Sequence, residues 1–394
     1  MSQTRLDDHA HQEVFYLLGC GYDGKAGKAY LKLLDPQNQK VKLLYDETGH
    51  KPYCYVKDPP EKIEELKLPG VIALTRERKY DLLRDREIEV TKIIASDPLA
   101  VGGSSSSIRE KVKAWEADIP YHLCYLYDMR LTPTMPYHLM DGKLVEAAPS
   151  QEKLKKIIQE YFKDLTSEEQ KLLIDWLSLL EADQPKFKHL SLDIEVLSPI
   201  ATRVPSPSKA RDKVAAIAFV GSDGRREVYL LKTQNLGEIR ESGEFEIKVY
   251  DDEVQMLRDA FDVIREYPIV ATFNGDDFDM PYLRHRAEVL KIPKDDIPIS
   301  LGREGASLKH GIHIDLYKFF MNKSIQVYAF DNKYREHTLE AIAQAILGKG
   351  KVAIEKPIGE LSGEELARYC FQDALLVHEL LTTDDDLVLK LLVV

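Results

Sequence analysis

Cysteine is scarce in this chain of 394 residues: Cys20, Cys54, Cys124 and Cys370 are widely spread, and none forms a C-x-x-C pair. That spacing argues against a zinc ribbon or a disulfide framework and reads as a reduced intracellular protein. No run of ~18 apolar residues occurs, so no membrane-spanning helix is expected. The first residues, Met1-Ser2-Gln3-Thr4-Arg5-Leu6, lack an apolar signal region, which argues against secretion. No internal repeat stands out. A basic excess is missing too: 54 Lys and Arg against 66 Asp and Glu leave a net charge of −12. This is not the footprint of a passive nucleic-acid coat. It leaves nucleic acid open as a substrate, because carboxylates can recruit divalent metals while a local basic groove holds DNA.

What is present is an ordinary globular balance, 44% hydrophobic and 30% charged, of a length that suggests two or three domains at ~150 residues each. From Val14 to Val56 short apolar runs alternate with turn signals and read as an antiparallel sheet. Residues 60–68 read as a short helix and 87–96 as a strand. IREKVKAWEA (108–117) reads as a helix ended before Pro120. Residues 138–150 read as a connector, and 151–165 as a helix by apolar spacing. Ser167 with Gln170 offers a capping box for a second helix. From Lys188 the grammar changes to three strand-like runs, then helix–strand–helix alternation, which is an α/β sheet with helices on its faces. The expected divisions are a smaller α+β domain over 1–150, a helical connector over 151–185, an α/β domain over 186–384, and a leading-out segment over 385–394.

Three acidic signals stand in the second half. Asp193 and Glu195 flank Ile194 in the strand LSLDIEV, so both carboxylates face one side. Asn274-Gly275-Asp276-Asp277-Phe278-Asp279 follows the strand PIVATF, at the carboxyl end where α/β sheets form ligand clefts. Tyr369 and Asp373 share a helix face at i,i+4. Each alone is ordinary: a solvated strand face, a turn, a common helix pair. Together they offer carboxylates from several elements, able to hold two divalent ions ~3.5–4 Å apart for in-line attack on phosphorus. Oxygen ligands suit Mg²⁺ or Mn²⁺ better than zinc.

DIE, NGDDFD and YCFQD, in this order, resemble the three exonuclease motifs of family B DNA polymerases, in the subgroup with tyrosine in the third motif. YPIVATFNGDDFDMPYLRHRA, GIHIDLYKFF and HTLEAIAQAILG support the resemblance, as do YDGKAGKAYLKL, TGHKPYCYV, KIIASDPLAV and IREKV nearer the start. The likeness is to archaeal, crenarchaeal-type enzymes and covers nearly the whole chain. It implies a ribonuclease H-like, mixed-sheet 3′→5′ exonuclease domain that proofreads DNA and releases nucleoside 5′-monophosphates with two Mg²⁺ or Mn²⁺ ions. Carried onto this sequence, Asp193 bridges both metals, Glu195 and Asp373 complete the tighter site, and Asp279 holds the second ion. Tyr369 orients the water or the phosphate, and Asn274 and Phe278 shape the pocket for the terminal nucleotide. Asp276 and Asp277 read as turn and surface residues, and Asp315 as structural.

The resemblance also implies a pocket for deaminated template bases, chiefly uracil, at Tyr22, Pro52, Val101, Arg109, Ile119, Pro120 and Tyr121. Tyr121 stands where the family has phenylalanine, and the GGSSSS loop interrupts the match before Arg109. The alternative is that these are core residues of a small sheet. Arg203, Lys209, Arg211, Arg284, His285 and Arg286 are candidates for a phosphate-binding groove. The departure is large: no palm D-x-x-S-L-Y-P, no fingers K-x-x-x-N-S-x-Y-G and no Y-x-D-T-D is found. The chain is therefore not expected to polymerise by itself. The expected partners are single-stranded or primer–template DNA and, where the polymerase is split, a separate palm-bearing chain. No membrane is expected, and the expected location is the cytoplasm, at the nucleoid. The competing expectation is a non-catalytic module that binds template DNA, or half of a split polymerase.

Overall fold

The computed structural model describes residues 13–147, 151–180, 186–197, 205–232, 237, 243–302, 305–350 and 356–391. Contacts divide the chain into two units, Met1–Leu33 with Lys42–Gln184, and Leu34–Val41 with Pro185–Val394.

In the first unit, β1 (Val14–Asp23), β2 (Lys28–Asp35) and β3 (Lys40–Tyr45) lie in a five-stranded sheet of order β3-β2-β1-β7-β8. A second, three-stranded antiparallel sheet has β6 (Arg86–Ala95) between β4 (Tyr53–Val56) and β5 (Val71–Asp81). Between and after these run α1 (Pro60–Glu65), α2 (Pro98–Val101), α3 (Ile108–Lys111) and α4 (Tyr121–Met129). The helix expected over 108–117 stops at Lys111. Val112 turns extended, and Trp115 exchanges backbone hydrogen bonds with Tyr55 at 2.7 and 3.0 Å. The connector expected at 138–150 contains β7 (Pro136–Met140) and β8 (Lys143–Glu146). An Asp-Gly turn with positive φ at both residues closes that hairpin. α5 (Gln151–Tyr161) and α6 (Ser167–Leu180) follow. The cap of α6 is one residue earlier than Ser167: the Thr166 hydroxyl accepts from the Glu169 N–H, and Glu169 reaches back to the Thr166 N–H at 2.8 Å. A carboxylate makes the stronger return bond, so Thr166/Glu169 prevails over Ser167/Gln170.

The second unit is a mixed α/β sheet of order β12-β11-β10-β9-β13-β16. Its strands are β9 (His189–Val196), β10 (Val214–Gly221), β11 (Arg226–Leu231), β12 (Glu246–Tyr250), β13 (Ile269–Thr272) and β16 (Ile312–Asp315). β14 (Ile299–Leu301) and β15 (Ala306–Leu308) form a separate hairpin. β9 runs antiparallel to β10 and parallel to β13. The helices are α7 (Glu253–Arg265), α8 (Asp279–Val289), α9 (Leu316–Met321), α10 (Leu339–Leu347), α11 (Gly363–Leu381) and α12 (Thr383–Leu391).

Alternation sorts the side chains of β9 and β10 between two layers. Leu190, Leu192, Ile194, Ile217 and Phe219 enter one core with α7 and α8. Ala216, Ala218 and Val220 face the opposite layer, with Ala367, Cys370, Phe371 and Ala374 of α11. Small residues on both partners let α11 approach the sheet closely. No helix of the described residues is long and apolar enough to cross a membrane.

At the edge of this layer His189 of β9 and His378 of α11 lie with ring centroids 5.2 Å apart. Burial, then the neighbouring His189, push the His378 imidazole down to about 4. The unfolded chain therefore takes up a proton near pH 6.5 that the folded chain refuses until about 4. Stability from this residue is complete above pH 6.5 and falls as the pH drops through that window, by a total on the order of 3 kcal/mol. Urea midpoints measured from pH 7 to 4.5 should fall more steeply for the wild type than for His378→Leu; parallel profiles would contradict the assignment.

Candidate active site

The same alternation that sends Ile194 into the α7/α8 core turns Asp193 and Glu195 toward α11. Opposite them on β10 stand Ala218 and Ala216, which leave room for the carboxylates. α11 starts with a full capping box, Ser362 with Glu365, and runs on as a 19-residue helix. Its Asp373 meets the strand pair: carboxylate oxygens of Asp193, Glu195 and Asp373 all lie within 4.8 Å of one another. Glu195 and Asp373 are buried. Tyr369, one turn before Asp373, is half-buried. Cys370 is fully buried, and its thiol approaches the Asp193 carbonyl at 3.5 Å and its carboxylate at 3.7 Å. Burial, with the charges of Asp193, Glu195 and Asp373, keeps this thiol protonated.

Asp279 opens α8. Its carboxylate accepts the N–H of Ile194 at 3.2 Å, which ties the helix to the strand between Asp193 and Glu195. It stands outside the three-carboxylate group, yet burial and the charges of Asp315 and Asp373 push its carboxyl well up. An all-oxygen donor set crowded with negative charge is the chemistry of a hard divalent cation, and the side chains present fit one.

A tight turn positions Asp279. The Asn274 carbonyl accepts from the N–H groups of Asp277 and Phe278, and Asn274 has φ +62°. Phe278 is half-buried, its ring centroid 5.6 Å from that of Tyr282. A Cβ at Gly275 would fall 1.9 Å from the Thr272 hydroxyl, so the turn requires glycine there. Asp315 accepts the N–H groups of Asn274, Asp276 and Tyr317 at 2.7, 3.2 and 3.0 Å, clamping the turn and capping α9 together. Burial pushes its carboxyl up against the pull of those three bonds.

Asp276 is not the surface residue the sequence suggests. It bonds Lys318 at 2.6 Å, His313 Nδ1 at 3.2 Å and the Ala306 N–H at 2.7 Å. Burial opposes its ionisation, but these three partners hold the carboxyl far below the usual range. His313 passes the chain on, with Nε2 2.8 Å from the Thr272 hydroxyl. The roles of Asp276, His313 and Asp315 escape motif reading. The signals for them are an Asp directly before a helix and the i,i+2 spacing of His313 and Asp315 on one strand face.

The basic residues after Asp279 are fasteners. Arg286 is buried in a bidentate pair with Glu253 at 2.8 and 2.6 Å and also bonds two carbonyls of the 205–213 loop. Arg284 pairs with Glu288, and His285 meets the Pro207 carbonyl. Each of the three thus already has a partner, and only Arg286 is buried in its pair. Lys209 and Arg211 are exposed, and Arg203 lies outside the described residues.

In the first unit, the Tyr22 and Tyr121 rings meet edge-on at 5.1 Å. The Tyr121 hydroxyl is held by His50, donating to its carbonyl at 3.2 Å. Val101 is buried in a cluster with Ile108 and Ala117, and Pro52 is buried. Ile119 and Pro120 are half-buried just before α4. Arg109 is exposed beside Glu110 at 3.5 Å. A cavity of about 800 Å³ in this unit has a different lining, with Leu31, Leu44, Tyr125, Met129 and Leu144 around Asp46.

Comparison with known proteins bears on both units. The family model for the DNA polymerase family B exonuclease domain matches residues 112–342. This chain belongs to the family B DNA polymerases. The matched span contains Asp193, Glu195 and Asp279 and ends before α11. DNA polymerase 1 of Saccharolobus solfataricus is 39% identical over 398 residues, covering 98% of this chain and 44% of that protein. DNA polymerase 1 of Aeropyrum pernix is 41% identical over 396 residues, covering 96% and 40%. The chain thus spans less than half the length of these relatives. The solved family B DNA polymerase of the hyperthermophilic archaeon Pyrobaculum calidifontis shares the fold, with TM-score 0.63 and 19% identity over 93% of this chain and 46% of that one.

The clamp is testable. Asp315→Ala strands three N–H groups and should lower stability by roughly 2–4 kcal/mol, read from urea unfolding. Asp315→Asn, which keeps an acceptor, should lose less. Equal stability of the alanine variant and the wild type would refute the clamp.

Proposed function

We propose that this chain is the proofreading portion of a family B DNA polymerase. It hydrolyses the 3′-terminal phosphodiester of DNA in the 3′→5′ direction and releases nucleoside 5′-monophosphates. The observation that carries the reading is the convergence of Asp193, Glu195 and Asp373 within a chain of this family.

In this reading Asp193, Glu195 and Asp373 hold divalent ions, Mg²⁺ or Mn²⁺, with Asp279 serving a second one. Bound there, such ions lower the pKa of a water and offset charge on the phosphate under attack. Tyr369, one turn before Asp373, orients the attacking water or the phosphate. Asn274 and Phe278, presented by the clamped turn, shape the pocket for the terminal nucleotide. Asp279 gains most from a nearby cation, since burial and two carboxylates disfavour its charge.

The substrate is single-stranded DNA or a frayed primer end. The first unit contacts template, with Tyr22, Pro52, Val101, Arg109, Ile119, Pro120 and Tyr121 as the candidate surface for a deaminated base. The contact of Tyr22 with Tyr121 supports that surface. The pairing of Arg109 with Glu110 and the held hydroxyl of Tyr121 leave an apolar wall to do the reading. Polymerisation belongs to palm, fingers and thumb, in the same polypeptide or in a separate chain. The domain divisions at 150, 185 and 384 follow this scheme, and the site of action is the cytoplasm, at the nucleoid.

A 5′-labelled single-stranded DNA incubated with Mg²⁺ should give a ladder shortening from its 3′ end. Asp193→Ala should slow it by about a hundredfold or more, the scale of losing one electrostatic stabiliser of a transition state, and EDTA should abolish it. DNA that is bound yet left intact in both Mg²⁺ and Mn²⁺ would replace the enzyme with a template-binding module.

A further inference from the structure

Tyr328 is the most exposed large hydrophobic side chain in the second unit among the described residues, at 88%. It stands on a single π-helical turn, Ile325–Ala329, a distortion often found at functional sites. The base beneath it is fixed. Gln326 is buried, its side-chain amide donates to the Tyr334 carbonyl at 2.7 Å, and its own carbonyl accepts from Asn332 at 2.9 Å. The Tyr334 hydroxyl donates to the Phe320 carbonyl at 2.8 Å. The Phe320 ring packs against Phe330 and Tyr334 at 5.5 and 5.7 Å. The chain then returns through Asp331 and Asn332, with φ +49° and +53°. Two consecutive left-handed residues and a π turn are unfavourable locally, and here they hold an aromatic ring out in water.

The charges nearby suit a polyanion. Lys323, Lys333 and Arg335 are exposed and have no ion-pair partner among the described residues. Asp331 and Glu336 are the exposed carboxylates of the same stretch. The platform is also built onto the acidic site. α9 starts at Asp315, which clamps the turn before Asp279, and Lys318 of α9 bonds Asp276. Six helical residues span about 9 Å, so the π turn stands within a few nucleotides of that clamp.

We propose that Tyr328 is a stacking platform for one base of single-stranded DNA, several nucleotides before the 3′ terminus, with Lys323, Lys333 and Arg335 facing the adjoining phosphates. The proposal rests on the exonuclease reading and adds to it a contact on the incoming strand. The backbone that carries the ring is already ordered, so stacking costs only the side chain's own freedom, and every base offers a π face, so the contact is indifferent to sequence.

The test compares wild type, Tyr328→Ala and Tyr328→Phe on dT12 and dT3. Fluorescence anisotropy with 5′-labelled dT12 in EDTA reads binding without cleavage, and kcat/KM in Mg²⁺ reads turnover. Tyr328→Ala should weaken dT12 binding by roughly 5- to 150-fold, the range of one base–aromatic stack. It should also lower the ratio of kcat/KM for dT12 over dT3, and Tyr328→Phe should restore both. A wild type that cleaves dT12 beside a Tyr328→Ala variant with unchanged affinity and ratio overturns the platform while leaving the exonuclease. A wild type that cleaves nothing overturns the exonuclease, and the affinity arm still decides Tyr328. Loss of binding to a palm-bearing polymerase chain, with DNA affinity intact, would make Tyr328 a protein contact and overturn the proposal.

Discussion

Like charges held close in a poorly solvated place are the constraint around which the second unit is arranged. Two ionised carboxylates within 4.8 Å of each other would repel by roughly 3 kcal/mol or more at an effective dielectric of about 20, and here three converge with a fourth beside them. Their proximity is imposed by packing. Ile194 is committed to the α7/α8 core, so its two neighbours must face α11. Alanines on β10 and α11 set a short distance between sheet and helix. In the proposed reading, a divalent cation bound there would convert this repulsion into attraction.

Around that seam the fold uses polar side chains as fasteners more than as reagents. Arg286 and Glu253 join α8 to α7 in the core, and Arg286 also holds the loop that follows β9. Asp315 joins β16, α9 and the turn before Asp279 through three N–H groups. Asp276, Lys318 and His313 brace the same turn from its outer side. The result is a turn whose closing carboxylate, Asp279, is positioned from two directions, by the Ile194 N–H and by the clamped turn.

Much of this was legible in the sequence because it follows from period. Strand alternation places Asp193 and Glu195 on one face, and helical spacing places Tyr369 and Asp373 on another, without any coordinates. The first three strands after Lys188 and the later helix–strand alternation also read directly, whereas the fourth strand, β12, which pairs parallel with β11 before α7, did not. What escaped depends on competition between near neighbours or on partners distant in sequence. Thr166 with Glu169 outcompetes Ser167 with Gln170 as a cap by one residue. The Asp141-Gly142 turn makes a hairpin where composition suggested a connector. Trp115 abandons a helical pattern for a bridge to Tyr55. Asp276 looks like any turn carboxylate until Ala306, His313 and Lys318 are brought to it from 30 to 42 positions away in the sequence. Arg286 looks like a phosphate ligand until Glu253 is seen to occupy it. Periodicity specifies a face; it does not say who waits on the other side.

The central claim is that the seam between β9 and α11 is a cation site. Titration of the intact chain with Mn²⁺, following the free-ion signal by electron paramagnetic resonance, tests it without reference to DNA or turnover. The account predicts that manganese binds the wild-type chain and that Asp373→Asn, with unchanged fold by circular dichroism, binds it distinctly more weakly. Manganese that stays free in the presence of the folded wild type, or that binds both proteins equally, would contradict it.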